Sequence, residues 1–322
     1  MKKLLPLAGL FLFLLCLSSV KSSGAAPDTV TTGIYITSIH NIDFKQKEYA
    51  ITLWLWLKYR NKDFDFEKNI EIPQAKSVTK SFTTTDSTKD GRVYLIMKLD
   101  CIMKDSWKTA KFPFDYQTLR LTIENSQYDS TELVFGVDTL GAHYGAFAIN
   151  GWSIRPDSFN LYVKNMPYKT AFGDETLSKA YTSYSAFRMK IGIKREASWT
   201  LFWKTFIGMY VAFFIAFVCF FVHAGSIEAR FGLNVGALFA AVGNKYIIDS
   251  SLPDSLSPTL VDMLHGITLI FIFIVIASTI YALKLVKENQ LRQADRFDTR
   301  MSRIVLLTYL GLNIYFIAQA AM

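Results

Sequence analysis

Residues 226–250 read SIEARFGLNVGALFAAVGNKYIIDS, and the fold turns on them. The apolar part, 231–248, matches the roughly 20 residues a helix needs to cross a hydrocarbon core of about 30 Å. It is not plain lipid filler. Glu228 and Arg230 stand at its start, Gly232, Gly236 and Gly243 punctuate it, and Asn234, Asn244 and Lys245 fall at membrane depth. Amide and ionisable groups are costly against lipid, so such a helix faces protein or water. It is the candidate lining of a pore.

Three more apolar segments of similar length surround it, at 205–222, 264–283 and 304–321. Charge orients them. Lys284, Lys287, Arg292, Arg296, Arg300 and Arg303 lie between the third and fourth segments, against Glu288, Asp295 and Asp298. The connection 249–262 carries three aspartates and no lysine or arginine. Basic loops stay in the cytoplasm, so the first connection is inside and the second outside. The N-terminus agrees: Lys2 and Lys3, an apolar run at 4–17 and small residues at 22–26 have the build of an export leader. Three parts are expected: a leader at 1–25, an extracellular or periplasmic domain at 26–198, and a four-helix membrane domain at 199–322. That makes a multi-pass protein of the cell inner (plasma) membrane. The net charge of +8 is concentrated at membrane flanks and does not call for nucleic acid. Past the leader only Cys101 and Cys219 remain, one in a strand and one in a span, so no disulfide framework exists. No metal-ligand spacing, phosphate loop or nucleophile with a placed histidine occurs, so neither an enzyme nor a cofactor is expected.

From 32 to 194 the hydrophobic period is two. Tyr49, Ile51, Leu53, Leu55, Leu57 and Tyr59 alternate with Ala50, Thr52, Trp54, Trp56, Lys58 and Arg60. Val93, Leu95, Met97 and Leu99, then Leu119, Leu121 and Ile123, then Phe187, Met189, Ile191 and Ile193 repeat the pattern. Turn residues separate these runs at 89–91, 112–115, 150–151 and 172–174. Short antiparallel strands with one apolar face make a two-sheet sandwich. The expected fold class is therefore β plus α: an N-terminal β-sandwich followed by a four-helix transmembrane bundle.

This order resembles the pentameric ligand-gated ion channels, specifically prokaryotic members without the disulfide loop. Phe112-Pro113-Phe114-Asp115-Tyr116-Gln117 is similar to that family's FPFDxQ loop, which rests on the membrane domain. Thr32-Gly33-Ile34-Tyr35, the Trp54/Trp56 strand and Gly151-Trp152 resemble strands of the prokaryotic members. Ser226-Ile227-Glu228-Ala229-Arg230 resembles the start of their pore helix, and Ser251-Leu252-Pro253 the loop after it. Asp105 and Leu119 stand about where animal receptors carry cysteines. The first span has Gly208 near the place of the family's proline. The 66–91 region is short and lacks a Trp-x-Pro-Asp-like segment, which normally walls the agonist pocket.

The resemblance implies a homopentamer embedded in membrane lipid, conducting ions, with the second span facing the axis. A stripe at i, i+4, i+7, i+11 then meets the lumen: Glu228, Gly232, Val235/Gly236, Phe239, Gly243, Tyr246 and Ser250, with Asp249 at the outer end. Five carboxylates from Glu228 would favour cations, and an apolar ring at Phe239 or a ring at Tyr246 would constrict the passage. The glycines equally fit close helix packing, and Lys245 either snorkels away or weakens cation preference. The coupling loops implied are those of Asp43 and Lys45, of Phe112, Pro113, Phe114 and Asp115, of Arg195, and of Pro253, with an Arg195–Asp115 ion pair expected. Aromatic candidates for an agonist, an ammonium above all, are Tyr144, Phe147, Tyr168, Phe172 and Tyr181. Protons are the other candidate agonist, acting on interface carboxylates of raised pKa. The competing reading is a non-conducting or agonist-insensitive pentameric sensor or scaffold of the same fold.

Overall fold

A computed structural model describes residues 26–173, 175, 181–255 and 257–322. The expected leader and part of the 172–174 turn lie outside the described residues.

Ten strands form two facing sheets. The first runs in the order β4 (Ala75–Ser87), β5 (Val93–Lys104), β2 (Glu48–Tyr59), β1 (Asp28–Asp43), β7 (Leu133–Val137). The second runs β3 (Ile70–Glu71), β6 (Tyr116–Asn125), β10 (Thr182–Arg195), β8 (Trp152–Ile154), with β9 (Asn160–Tyr168) also on β10. The alternation read in the sequence is the packing: all six odd-numbered residues of β2 from Tyr49 to Tyr59 are buried. They meet Leu119, Leu121, Ile123, Phe187, Met189 and Ile191 of the opposite sheet in one core. Cys101 is in that core, where burial pushes its thiol up to about 12. It behaves as a small hydrophobe.

The other face of β2 is only half covered. Trp54 meets Phe82 edge-on at 5.6 Å. The Trp56 indole donates to Asp138 Oδ2 at 2.9 Å, and Lys58 pairs with the same oxygen at 3.1 Å. Gly33 is required there, because a Cβ would stand 2.4 Å from the Trp56 ring. The 66–91 region, short by sequence, forms one helical turn, α1 (Phe66–Asn69), then β3 and the outlying β4.

The helical half carries four helices long and apolar enough to span a membrane among the described residues. They are α2 (Ser198–Phe217, extended by a 3-10 turn Val218–Phe221), α3 (Ile227–Asp249), α4 (Leu260–Lys287) and α5 (Leu291–Ala321). Thr259 and Asp262 cap α4 reciprocally, which satisfies orphan N–H groups where a helix enters the bilayer. Tyr309 of α5 is the bundle's central plug. It stacks on Phe213 of α2 at 3.6 Å and bonds Thr268 of α4 at 2.9 Å. Gly208 of α2 sits where a Cβ would meet the Asn244 side chain of α3 at 2.9 Å.

Gly33→Ala is expected to lower the stability of the sandwich by about 1–3 kcal/mol, as overpacking does. Thermal unfolding of the full chain in detergent checks it: an unchanged midpoint would mean that Trp56 yields freely.

Candidate functional site

The site has three parts along one axis: a helix with an unpartnered side, a seam between sandwich and bundle, and a pocket on the sandwich.

α3 is one-sided. Arg230, Asn234, Ala237, Ala241 and Ile248 are its buried residues. At ~100° per residue, Glu228, Gly232, Phe239, Gly243 and Tyr246 lie on the opposite side of the helix. Phe239 is 71% exposed and Tyr246 76%. A Cβ at Gly232, Gly236 or Gly243 would meet nothing within 4 Å. The glycines therefore do not serve packing within the protomer. The two basic groups of α3 are turned from this stripe. Arg230, 1% exposed, bonds Asp298 of α5 at 2.5 Å and also donates to the Val222 carbonyl. Lys245 lies between Asp249 at 2.8 Å and Asp262 at 2.7 Å. Glu228 is exposed and enters no ion pair among the described residues. Above mid-helix, Asn244 Oδ1 is 3.0 Å from His265 Nε2, and Asn244 Nδ2 donates to the Thr205 carbonyl at 3.3 Å.

At the seam the expected ion pair is present. Arg195 Nε donates to Asp115 Oδ1 at 2.7 Å, and both side chains are nearly sealed from solvent. Three rings enclose the guanidinium: Trp152 at 4.3 Å, Phe44 at 4.6 Å and Phe112 at 4.9 Å. Arg195 ends β10 just ahead of α2, so the pair fixes the sandwich where the chain enters the bundle. The loop is held from both sides. Phe112 packs among Phe202, Phe206, Leu260 and Val261 of the bundle, while Ala110 accepts a hydrogen bond from Leu260 N at 2.9 Å. Phe114 meets Trp199 edge-on at 4.8 Å. Gln117 closes the loop base, exchanging two hydrogen bonds with the Lys108 backbone at 2.8 and 2.9 Å and donating to Asp115 at 2.6 Å. Asp105 is bonded to Arg120 at 2.7 Å. Asp43 accepts from Gln46 N within its hairpin, and its carbonyl accepts from the Trp107 indole. Lys45 is exposed at that turn, and Pro253 borders a small cleft with Thr109 and Asp262.

The five aromatic ligand candidates do not come together. Tyr168 and Phe172 do, with Tyr184, which the sequence reading passed over: the three rings lie 5.7–6.3 Å apart in edge-on pairs. They line a cavity of ≈ 400 Å³ with Glu71, Pro73 and Glu124. Tyr181 is exposed and outside that lining, while Tyr144 packs on Phe159 and Phe147 against the sandwich core. Glu124 is buried. It accepts from the Tyr168 hydroxyl at 2.8 Å, and its other oxygen has no partner among the described residues. Burial raises its pKa, and the nearby Glu71 adds to the effect. Burial likewise raises Asp105. Three rings around an unsatisfied carboxyl suit a small cation, through ring faces and charge together. Tyr184 was readable as an aromatic two residues into the last strand, and Glu124 as an acid at the end of an apolar one. Asp298 shares the buried stripe Ala294, Asp298, Ser302, Val305, Tyr309 of α5. A charge on a core stripe is the signal that would have found it.

Asp115→Asn is expected to cost about 3–5 kcal/mol, because Arg195 stays buried without its counter-charge. A detergent melting midpoint equal to wild type would contradict this. Glu124 binds its proton more tightly folded than unfolded, so its contribution to stability is present below its ordinary value of 4.5 and is lost as pH rises through the raised one. Glu124→Gln is expected to flatten that decline in melting temperature. A slope like wild type would count against it.

No protein-family model matches the chain. A curated relative, the proton-gated ion channel of Gloeobacter violaceus, is 24% identical over 320 aligned residues, covering 89% of this chain and 82% of the relative. The two-sheet sandwich and four membrane-length helices match the fold of the pentameric ligand-gated ion channels, and the likeness to the proton-gated channel runs over most of the chain.

Proposed function

We propose that five copies assemble around α3 to form a cation-selective channel in the inner membrane, with the sandwich (26–198) outside and the helical domain (199–322) forming the pore. The observation that carries this reading is the exposed stripe of α3, directly opposite its buried face. A lipid-facing helix has no use for three glycines and a carboxylate on its outward side. A water-filled axis does. With Arg230 and Lys245 held by carboxylates, Glu228 sets the charge of the inner mouth, and a ring of five attracts cations and repels anions. Five phenyl groups at Phe239 form an apolar constriction that closes by dewetting.

The agonist is a small cation or a proton received at Glu124 among Tyr168, Phe172 and Tyr184. Either one satisfies the unpartnered carboxyl oxygen, and the relative's gating by protons fits this chemistry. β10 carries Tyr184 near one end and Arg195 at the other, so a change at the pocket has a continuous strand to the seam. Ion pairs such as Asp115–Arg195 bias a two-state equilibrium when they differ between packings.

The test is current from the purified full chain in planar bilayers over a range of pH and with small amines. Wild type is expected to pass cations, Glu228→Gln to move the reversal potential in a salt gradient toward zero, and Phe239→Ala to raise resting conductance. No current from an assembled pentamer under any condition would favour the scaffold reading. Loss of the resting block in Tyr246→Ala instead would place the constriction further out.

A further inference from the structure

Arg230 stands at the end of the first turn of α3. That turn carries the positive end of the helix dipole, where a carboxylate is favoured and a guanidinium is not. Glu228, two residues earlier, follows this preference and Arg230 opposes it. What holds Arg230 comes from elsewhere in the bundle. Its Nε donates to the Val222 carbonyl at 3.1 Å, just past the 3-10 turn that ends α2, and its Nη2 donates to Asp298 Oδ2 of α5 at 2.5 Å. The two charged side chains are only 2% and 5% exposed, so water does little to neutralise either. A buried ion pair is weak evidence for stability, because apolar residues of similar volume often serve as well. Stability alone does not explain the pair.

The placement of the charges does. Arg230 follows Glu228 by two residues, so their levels along α3 differ by about 3 Å. That is well inside the screening length of roughly 8 Å at physiological salt, and buried charges are screened less than exposed ones. The guanidinium therefore adds to the field at the inner mouth, although its side chain points away from the exposed stripe. Copy for copy, Arg230 cancels Glu228. Only the carboxylate of Asp298 returns the sum to negative. The other charges on this part of α5, Asp295 among Arg292, Arg296 and Arg300, are exposed to water, which screens them.

We infer that Asp298 determines the charge selectivity of the pore: by neutralising Arg230 it leaves the inner mouth to the carboxylate of Glu228. The inference rests on the channel reading and extends it from the exposed stripe of α3 to a buried side chain of another helix, remote from the stripe. Loss of the Asp298 charge leaves Arg230 uncompensated. Its guanidinium then either stays sealed and carries its field to the mouth, or turns toward the water there as long basic side chains do. In both cases the carboxylate ring is offset, and cations lose their advantage.

The test is the cation-to-anion permeability ratio of the full chain in planar bilayers, read from reversal potentials in a potassium chloride gradient. Asp298→Asn is expected to lower the wild-type ratio by about ten-fold or more, the low end of what a charged mouth contributes to local ion concentration. Adding Arg230→Gln to Asp298→Asn is expected to return the ratio to the wild-type value. An unchanged ratio in Asp298→Asn, as when Asp295 takes over Arg230, overturns the inference. So does a ratio that stays low in the double variant, since that reports altered packing and not charge. Should Asp298→Asn lose the wild-type elution volume, pentamers mixed with an excess of wild type are read the same way, the ratio falling with the variant's share. A wild type that passes no current, or that prefers anions, fails the channel reading itself and takes the inference with it. A cation-selective wild type beside an unchanged Asp298→Asn fails the inference alone.

Discussion

A guanidinium enclosed by three aromatic rings and one carboxylate joins the two halves of this protein. Arg195 is the last residue of β10, and the carboxylate comes from the Phe112–Asp115 loop. Each partner would be expensive to bury alone, and together they hold the loop at one distance from the first span. The rest of the seam follows from that fixed point. Phe112 reaches into the bundle, Leu260 bonds the loop backbone, and Leu252 packs on both the sandwich core and the bundle. Hydrophobic contacts alone would let sandwich and bundle slide over one another. The buried pair gives the joint a single register.

The second constraint is the economy of α3. Its buried side is built from alanines with a few polar groups, of which Arg230, Asn244 and Lys245 have partners on α2, α4 or α5. Among the described residues the Asn234 side-chain oxygen and one Arg230 guanidinium nitrogen, Nη1, have none. Every positive charge on the helix is neutralised toward the protein, which leaves the outward side with a single carboxylate, Glu228, among glycines, Val235 and the rings of Phe239 and Tyr246. Under the channel reading this sorting makes selectivity a property of one residue type at one level.

Much of this was legible in the sequence. The two-residue period of 49–59 gave the buried face of β2 residue by residue, because a strand with one wet side has no other way to alternate. The four spans followed from length and hydropathy, and the Asp115–Arg195 pair from the resemblance. What escaped was set by contacts distant in the chain. Asp298 meets Arg230 from 68 residues away, so nothing near Arg230 told which way its charge would turn. Glu124 and Tyr184 sit on paired strands of one sheet, and only the register of that sheet brings them to Tyr168. Tyr144 and Phe147 looked equivalent to Tyr168 as aromatics, but the fold sets Tyr144 beside Ile36 and Phe159 and Phe147 against the sandwich core.

The Arg230–Asp298 bond has a mechanical consequence. Near its lower end α3 is fastened to α5, and near its upper end Asn244 and Lys245 tie it to α2 and α4. Between these anchors its buried contacts at Ala237 and Ala241 are methyl groups, and three glycines soften the backbone. A rod clamped at both tips and greased in the middle bows rather than slides. The largest sideways travel then falls at the midpoint, where Phe239 stands.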